Sequence, residues 1–246
     1  MDFQQRDLEI LKFVFASRVV TREQLERNFF ADRHCSAAGK RLRKLVRYGY
    51  LNVGIGMFYP SSTVTKYYAP TEKTAEAVAR LWDFEIDRPH IKSESPGHDI
   101  RMAELAIRLR RLPNFSFFVS ENQLQSSSDL KDDLIVRDFV RIQSDGVLGL
   151  RKPNGSLEVY GIEMEVTPKS LDRYKDKLAS YYRSGSPDGV LYFCGMPSIA
   201  RLIVRADCSV CDRYPSIVHT VLEKDALAVE GKIIFQRDEV QTLVIS

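Results

Sequence analysis

The stretch SDGVLGLRKPNGSLEVYGIEMEVTPKS, residues 144–170, decides the fold. It reads as a hairpin: one strand over Phe139–Leu150, a turn in Lys152-Pro153-Asn154-Gly155-Ser156, and a second strand over Leu157–Val166. Asn154-Gly155 alone would suggest a two-residue loop and set Asp145 opposite Met164, on the wrong face. A three-residue loop, Pro153-Asn154-Gly155, puts proline at the second position of a type I turn and glycine at the left-handed residue that follows. Lys152 then pairs with Ser156, and Asp145 with Glu163. Glu165 joins them, because residues two apart on a strand share a face.

Three carboxylates on one patch repel one another and are costly to desolvate unless a cation joins them. Hard oxygen donors of this kind suit Mg²⁺ or Mn²⁺. Such an ion polarises a phosphodiester and activates water. The competing reading is three solvated, outward-facing acids. Against it, Ile162, Met164 and Val166 form an apolar face with the acids on the other, and Ser144-Asp145-Gly146-Val147 interrupts an otherwise apolar run.

Outward from the hairpin, Asp99–Leu112 has helical spacing, Phe115–Leu124 reads as a strand and Gln125–Asp133 as a loop. Ser170–Tyr182 is a helix with Leu171, Tyr174, Leu178, Tyr181 and Tyr182 on one face. Gly189–Gly195 is apolar throughout, as a strand buried on both faces would be. A helix over Ser198–Val204 and strands over Ile217–Leu222, Lys232–Phe235 and Val240–Ile245 follow. The core order is helix, three strands, helix, strand.

This pattern resembles the restriction-endonuclease-like, PD-(D/E)XK superfamily. Ser144-Asp145 stands for its Pro-Asp element and Glu163-Met164-Glu165 for its (D/E)-X-K element. Serine replaces the proline, and Glu165 replaces the usual lysine, so the basic role falls to Lys169, Lys175 or Lys177. Lys169 is carried forward as the catalytic candidate. The resemblance also implies Glu104, on the preceding helix, as an additional metal ligand.

The amino-terminal third has a different character. Leu8, Ile10, Leu11, Val14 and Phe15 predict a helix over Asp7–Ala16, and Thr21 with Gln24 makes a capping box opening a second helix to Phe30. Ser36 opens a third, ended by Gly49, with Leu42, Leu45 and Val46 on one side and Lys40, Arg41, Arg43, Lys44 and Arg47 over the rest. From Arg33 to Tyr50 there are six basic residues and no acid, an electrostatic footprint for phosphate. Strands over Leu51–Val53 and Met57–Tyr68 follow, around Gly54, Gly56 and a Pro60-Ser61-Ser62 turn, then a helix over Thr71–Trp82. Three helices and a hairpin are the winged helix-turn-helix order, with the basic helix in the recognition position and Lys66 on the wing near backbone phosphate. The predicted architecture is therefore α+β: a winged helix over 1–86, a linker over 87–97, and a restriction-endonuclease-like α/β domain with a mixed central sheet over 98–246.

The two parts together resemble the MobC-type relaxases of mobilisable plasmids and the replication-relaxation proteins. The residues that carry this are Ser144-Asp145-Gly146-Val147, Glu163 through Ser170, and Tyr174-Lys175-Asp176-Lys177-Leu178. The resemblance implies metal-dependent, site- and strand-specific nicking of double-stranded DNA at a transfer origin, with accessory mobilisation or coupling proteins as partners. A non-catalytic DNA-binding regulator or replication-initiation factor on the same fold is the alternative.

Other signals are weaker. Pro187-Asp188 with Glu230-Gly231-Lys232 matches the motif literally, but a helix and a strand separate its halves. Cys208 and Cys211 make half a zinc site with no second pair. Tyr181-Tyr182 imitates a nucleophilic tyrosine pair on what reads as a core face. His98 beside Asp99 reads as a helix start. Composition fits a globular chain: 246 residues, 44% apolar, 28% charged, net charge +3. No apolar run spans a bilayer, no secretory leader is visible, and four cysteines without one suggest reduced thiols in the cytoplasm.

Overall fold

The computed structural model describes residues 3–31, 35–58, 63–81, 85–211, 215–228, 231–236 and 242–245. Two compact units emerge, 1–107 with 125–130, and 108–124 with 131–246.

The first unit begins with α1 (Gln5–Ser17), β1 (Val20–Thr21) and α2 (Arg22–Phe29), then α3 (Cys35–Arg47), β2 (Leu51–Met57), β3 (Val64–Pro70) and α4 (Glu72–Ala79). The predicted capping box is present: Thr21 accepts from the Gln24 N–H and the Gln24 side chain returns to the Thr21 N–H. Gly49, at φ +76°, turns the chain out of α3. Leu42 and Leu45 of α3 share one buried core with Ile10, Leu11 and Val14 of α1. A three-stranded sheet, β1-β3-β2, completes this unit. Sequence reading broke β2 at its glycines, yet the strand runs through them. Gly54 lies beneath the Tyr67 ring and Gly56 beneath Phe58, where no Cβ fits. The turn read at Pro60-Ser61-Ser62, Arg33 and His34, and the Trp82 end of the predicted helix lie outside the described residues.

Helix α5 (Pro96–Leu109) carries the division between the units, at Ile107 and Arg108. The segment 87–97, expected as a linker, belongs with the first unit: the N–H groups of Asp87 and Arg88 donate to the Ser126 carbonyl, and Ile91 packs on the core. Asp99 takes the Arg18 guanidinium at 2.9 Å, consistent with its place at a helix start.

The second unit is built on β4 (Phe115–Ser120), the first four residues of α6 (Glu121–Ser126), α7 (Arg137–Ile142), β5 (Gly146–Arg151), β6 (Leu157–Glu165), α8 (Leu171–Ser184), β7 (Gly189–Cys194), α9 (Pro197–Val210), β8 (Val218–Leu222), α10 (Glu223–Ala228), β9 (Ile233–Gln236) and β10 (Thr242–Ile245). The strands form one mixed sheet in the order β10-β9-β8-β7-β6-β5-β4. The pairs β6–β7 and β7–β8 are parallel and the rest antiparallel. Every residue of β7 is buried, as its apolar run predicts. Three elements differ from the sequence reading. Residues 139–142, read as the start of a strand, lie instead in α7, which ends where Gln143 adopts the left-handed conformation (φ 60°) and its N–H closes on the Phe139 and Val140 carbonyls. Residues 121–126 turn helical after a short β4, and α10 was read as no element. Among the described residues no helix is long and apolar enough to cross a membrane.

Candidate active site

The hairpin holds the register its turn implies. Gly155 sits at φ +84°, its N–H donates to the Lys152 carbonyl at 2.9 Å, and Lys152 N–H reaches Ser156 O at 2.8 Å. Pairing runs from Arg151↔Leu157 to Gly146↔Ile162, and Asp145 stands one residue beyond its end, as Glu163 does on β6. Asp145 stands just before β5 and its Oδ2 accepts the Met164 N–H at 2.7 Å, which draws its carboxylate across to β6. Glu163 and Glu165 are 3% and 4% exposed, so the face read as acidic is buried against protein, not bathed in solvent. Helix α8 covers that face. Gly161 lets it approach, since a Cβ there would strike the Tyr181 ring.

Each glutamate has a lysine. Lys169 Nζ is 2.6 Å from Glu165 Oε1, and Lys177 Nζ is 3.0 Å from Glu163 Oε1. Lys177 also donates to the Ile142 and Gln143 carbonyls at 3.2 and 2.9 Å, so all three N–H bonds are used. Lys169 is partly exposed and its ammonium has Glu165 as partner. Lys175 pairs instead with Asp172, at 3.6 Å. Tyr181 donates to Glu163 Oε1 at 2.5 Å and is 2.6 Å from Ser144 Oγ, tying the hairpin entry to α8. Among the described residues no three His, Cys, Asp or Glu side chains form a group ready to hold an ion as they stand. The cations that make the buried glutamates tolerable here are the two lysines, which corrects the expectation that the acids need a metal for that.

Burial pushes the Glu163 carboxyl up to about 7; Lys177 pulls the other way and the Asp145 charge adds to the rise. Glu165 is raised too, chiefly by burial, with the Lys169 hydrogen bond opposing. A glutamate in the unfolded chain titrates near 4.3. The folded Glu163 therefore keeps its proton where the unfolded chain has lost it. Its contribution to stability is complete below about pH 4.3 and is lost as pH rises through about 7. In Glu163→Gln that slope should flatten. Urea unfolding across this pH range checks it, and a parallel decline in both proteins would contradict it.

Sequence reasoning missed Tyr192. It lies in register with Glu163 on β7, is fully buried, and is raised by burial and by the charges of Glu163, Glu165 and Asp145. Its hydroxyl has no hydrogen-bond partner in the protein. The only signal in sequence was a tyrosine inside an apolar run. The row thus holds a buried, unpartnered hydroxyl beside carboxylates whose charges are met by Lys169 and Lys177.

The remaining candidates are elsewhere. Glu104 is engaged within the first unit, 2.5 Å from Arg27 and 3.2 Å from the Gln24 amide, so it leaves the ligand set. Arg41 clamps the buried Asp7 of α1 and is withdrawn from the phosphate-binding set. Lys40, Arg43, Lys44, Arg47 and Lys66 are exposed and make no ion pair among the described residues. Asp188 accepts the Val159 N–H at 2.7 Å, a structural role at the start of β7, while Glu230 lies outside the described residues. Tyr182 bonds Asp207 at 2.6 Å and is likewise structural. Cys208 and Cys211 form no disulfide among the described residues.

Comparison with family models, with curated proteins and with solved structures gives no match.

Proposed function

We propose that this chain is a metal-dependent DNA endonuclease with a winged-helix DNA-binding unit and a PD-(D/E)XK-like catalytic unit. The observation that carries the reading is the hydrogen bond from the Met164 N–H, between Glu163 and Glu165, to the Asp145 carboxylate, with Lys169 beside it and the unpartnered Tyr192 hydroxyl in the same row. The mixed sheet supports it, with β4, β5 and β6 adjacent and antiparallel, although α6 and α7 intervene between β4 and β5 in the chain.

Asp145, Glu163 and Glu165 would hold Mg²⁺ or Mn²⁺, which supplies charge to the phosphodiester and lowers the pKa of bound water. The chain's own groups do the rest. Tyr181 and Lys177 fix the Glu163 carboxylate. Lys169 is the cation free to leave its glutamate for a phosphoryl oxygen, where its charge stabilises the crowded transition state. Lys40, Arg43, Lys44, Arg47 and Lys66 grip duplex backbone, and base-edge contacts from α3 add sequence choice. By resemblance the target is a plasmid transfer origin cut on one strand in the cytoplasm, with accessory mobilisation or coupling proteins. The second reading, a non-catalytic DNA-binding regulator, is favoured by the lysines that already neutralise both glutamates.

Nicking of supercoiled plasmid DNA with Mn²⁺ separates the two, since the regulator converts none. The duplex grip is tested by Arg43→Ala with Lys44→Ala: binding should weaken on all sequences and the slope of log affinity against log salt should fall by about two. An unchanged slope in fluorescence-anisotropy titrations would remove α3 from the interface.

A further inference from the structure

The sheet carries a second feature on the same face as the acids. Parallel register aligns Glu163 with Tyr192 and Tyr192 with Thr220, and Thr220 pairs with Gln236 on β9. One row of side chains thus runs from the acids to a cleft of about 300 Å³ lined by Arg201, Thr220, Leu222, Asp225, Ile234 and Gln236. Its volume is at the low end for small-molecule sites, the size of one nucleoside. From β6 to β8 is two strand spacings, about 10 Å. That is within reach of a neighbouring nucleotide on a strand whose phosphate lies at the acids.

The lining is chemically specific. Among the described residues Arg201 and Asp225 make neither a hydrogen bond nor an ion pair, and both are exposed. Ile234 is 48% exposed although its neighbours Ile233 and Phe235 are buried. Leu222 and Ile234 give apolar surface for the face of a base. Asp225 offers carboxylate acceptors, the Gln236 amide offers a donor and an acceptor, and Arg201 offers a fork of donors that matches phosphate. Carboxylate and amide together suit a base with an exocyclic amino group and disfavour thymine, which has none.

We infer that this cleft receives one unpaired nucleotide of the substrate strand, with an amino-bearing base, next to the phosphate that is cut. The inference rests on the nuclease reading for the identity of the ligand. The acids act on the phosphate; the cleft chooses the nucleotide beside it. Seating the base this way needs the nucleotide out of the stack, which a nicking site in a locally opened duplex supplies.

The test is anisotropy binding of short fluorescein-labelled oligodeoxynucleotides of adenine, cytosine or thymine to the full chain without divalent metal. The wild type should bind the adenine or cytosine strand about tenfold more tightly than the thymine strand, the low end for a good base contact. Arg201→Glu should weaken all of them several-fold, and Asp225→Asn should narrow the preference. No base preference in the wild type, no binding at all, or variants indistinguishable from it would overturn the inference. Asp145→Ala keeps the two readings apart. A plasmid nicked by the wild type and not by Asp145→Ala, with cleft variants unchanged in binding, sinks the cleft alone. A base preference lost in the cleft variants of a protein that nicks nothing upholds the cleft and sinks the nuclease.

Discussion

Asp145→Ala should abolish nicking of supercoiled DNA, with a loss of about a thousandfold or more. Charge stabilisation by a bound metal is worth several kcal/mol, and each 1.4 kcal/mol or so is tenfold in rate. The substitution also has a structural cost. The Met164 N–H loses its acceptor, and a part-buried donor left unpaired costs about 1–3 kcal/mol. Asp145→Asn separates the effects, because its amide oxygen still accepts from Met164 while the charge is gone. The expected result is a thermal midpoint near that of the wild type for Asp145→Asn, and inactivity in both variants. Nicking by Asp145→Asn at the wild-type rate would remove Asp145 from catalysis.

Asp7→Ala should unfold or nearly unfold the amino-terminal unit. Asp7 is fully buried; it accepts from the Gln4 N–H and carries the Arg41 guanidinium. Removing one partner of a buried pair leaves the other charge uncompensated, at about 3–5 kcal/mol. A domain of this size is stable by only about 5–15 kcal/mol in all. A fall in melting temperature on the order of 15–30 °C follows from the usual scaling for small domains. Replacing both residues, Asp7→Leu with Arg41→Met, should recover much of the loss, because well-packed apolar pairs substitute for buried ion pairs. A midpoint for Asp7→Ala within a few degrees of wild type would show that the clamp matters little. With the expected large fall, duplex binding lost with Arg41 variants needs no phosphate contact to explain it.

The hairpin was legible because one dipeptide and one proline fix its register, and register decides which side chains share a face. The same logic exposed Asp145, Glu163 and Glu165 as a set. Their counter-ions were not legible. Lys169, Lys175 and Lys177 lie within nine residues on one helix and its approach, and only the packing of α8 on Gly161 selects the first and third. The turn before Asp145 was misread for a local reason. Phe139 and Val140 have strand propensity, and the left-handed Gln143 that ends α7 has no glycine to announce it. Arg41 and Glu104 show a limit of a different kind. A charge pattern along one helix cannot reveal partners 34 and 77 residues away.

The three acceptors around Lys177 have a chemical corollary. An amine whose lone pair is committed to a proton, and whose protons are all committed to fixed oxygens, makes a poor nucleophile. An acylating reagent applied to the native protein should find Lys169 and pass over Lys177 until the fold opens.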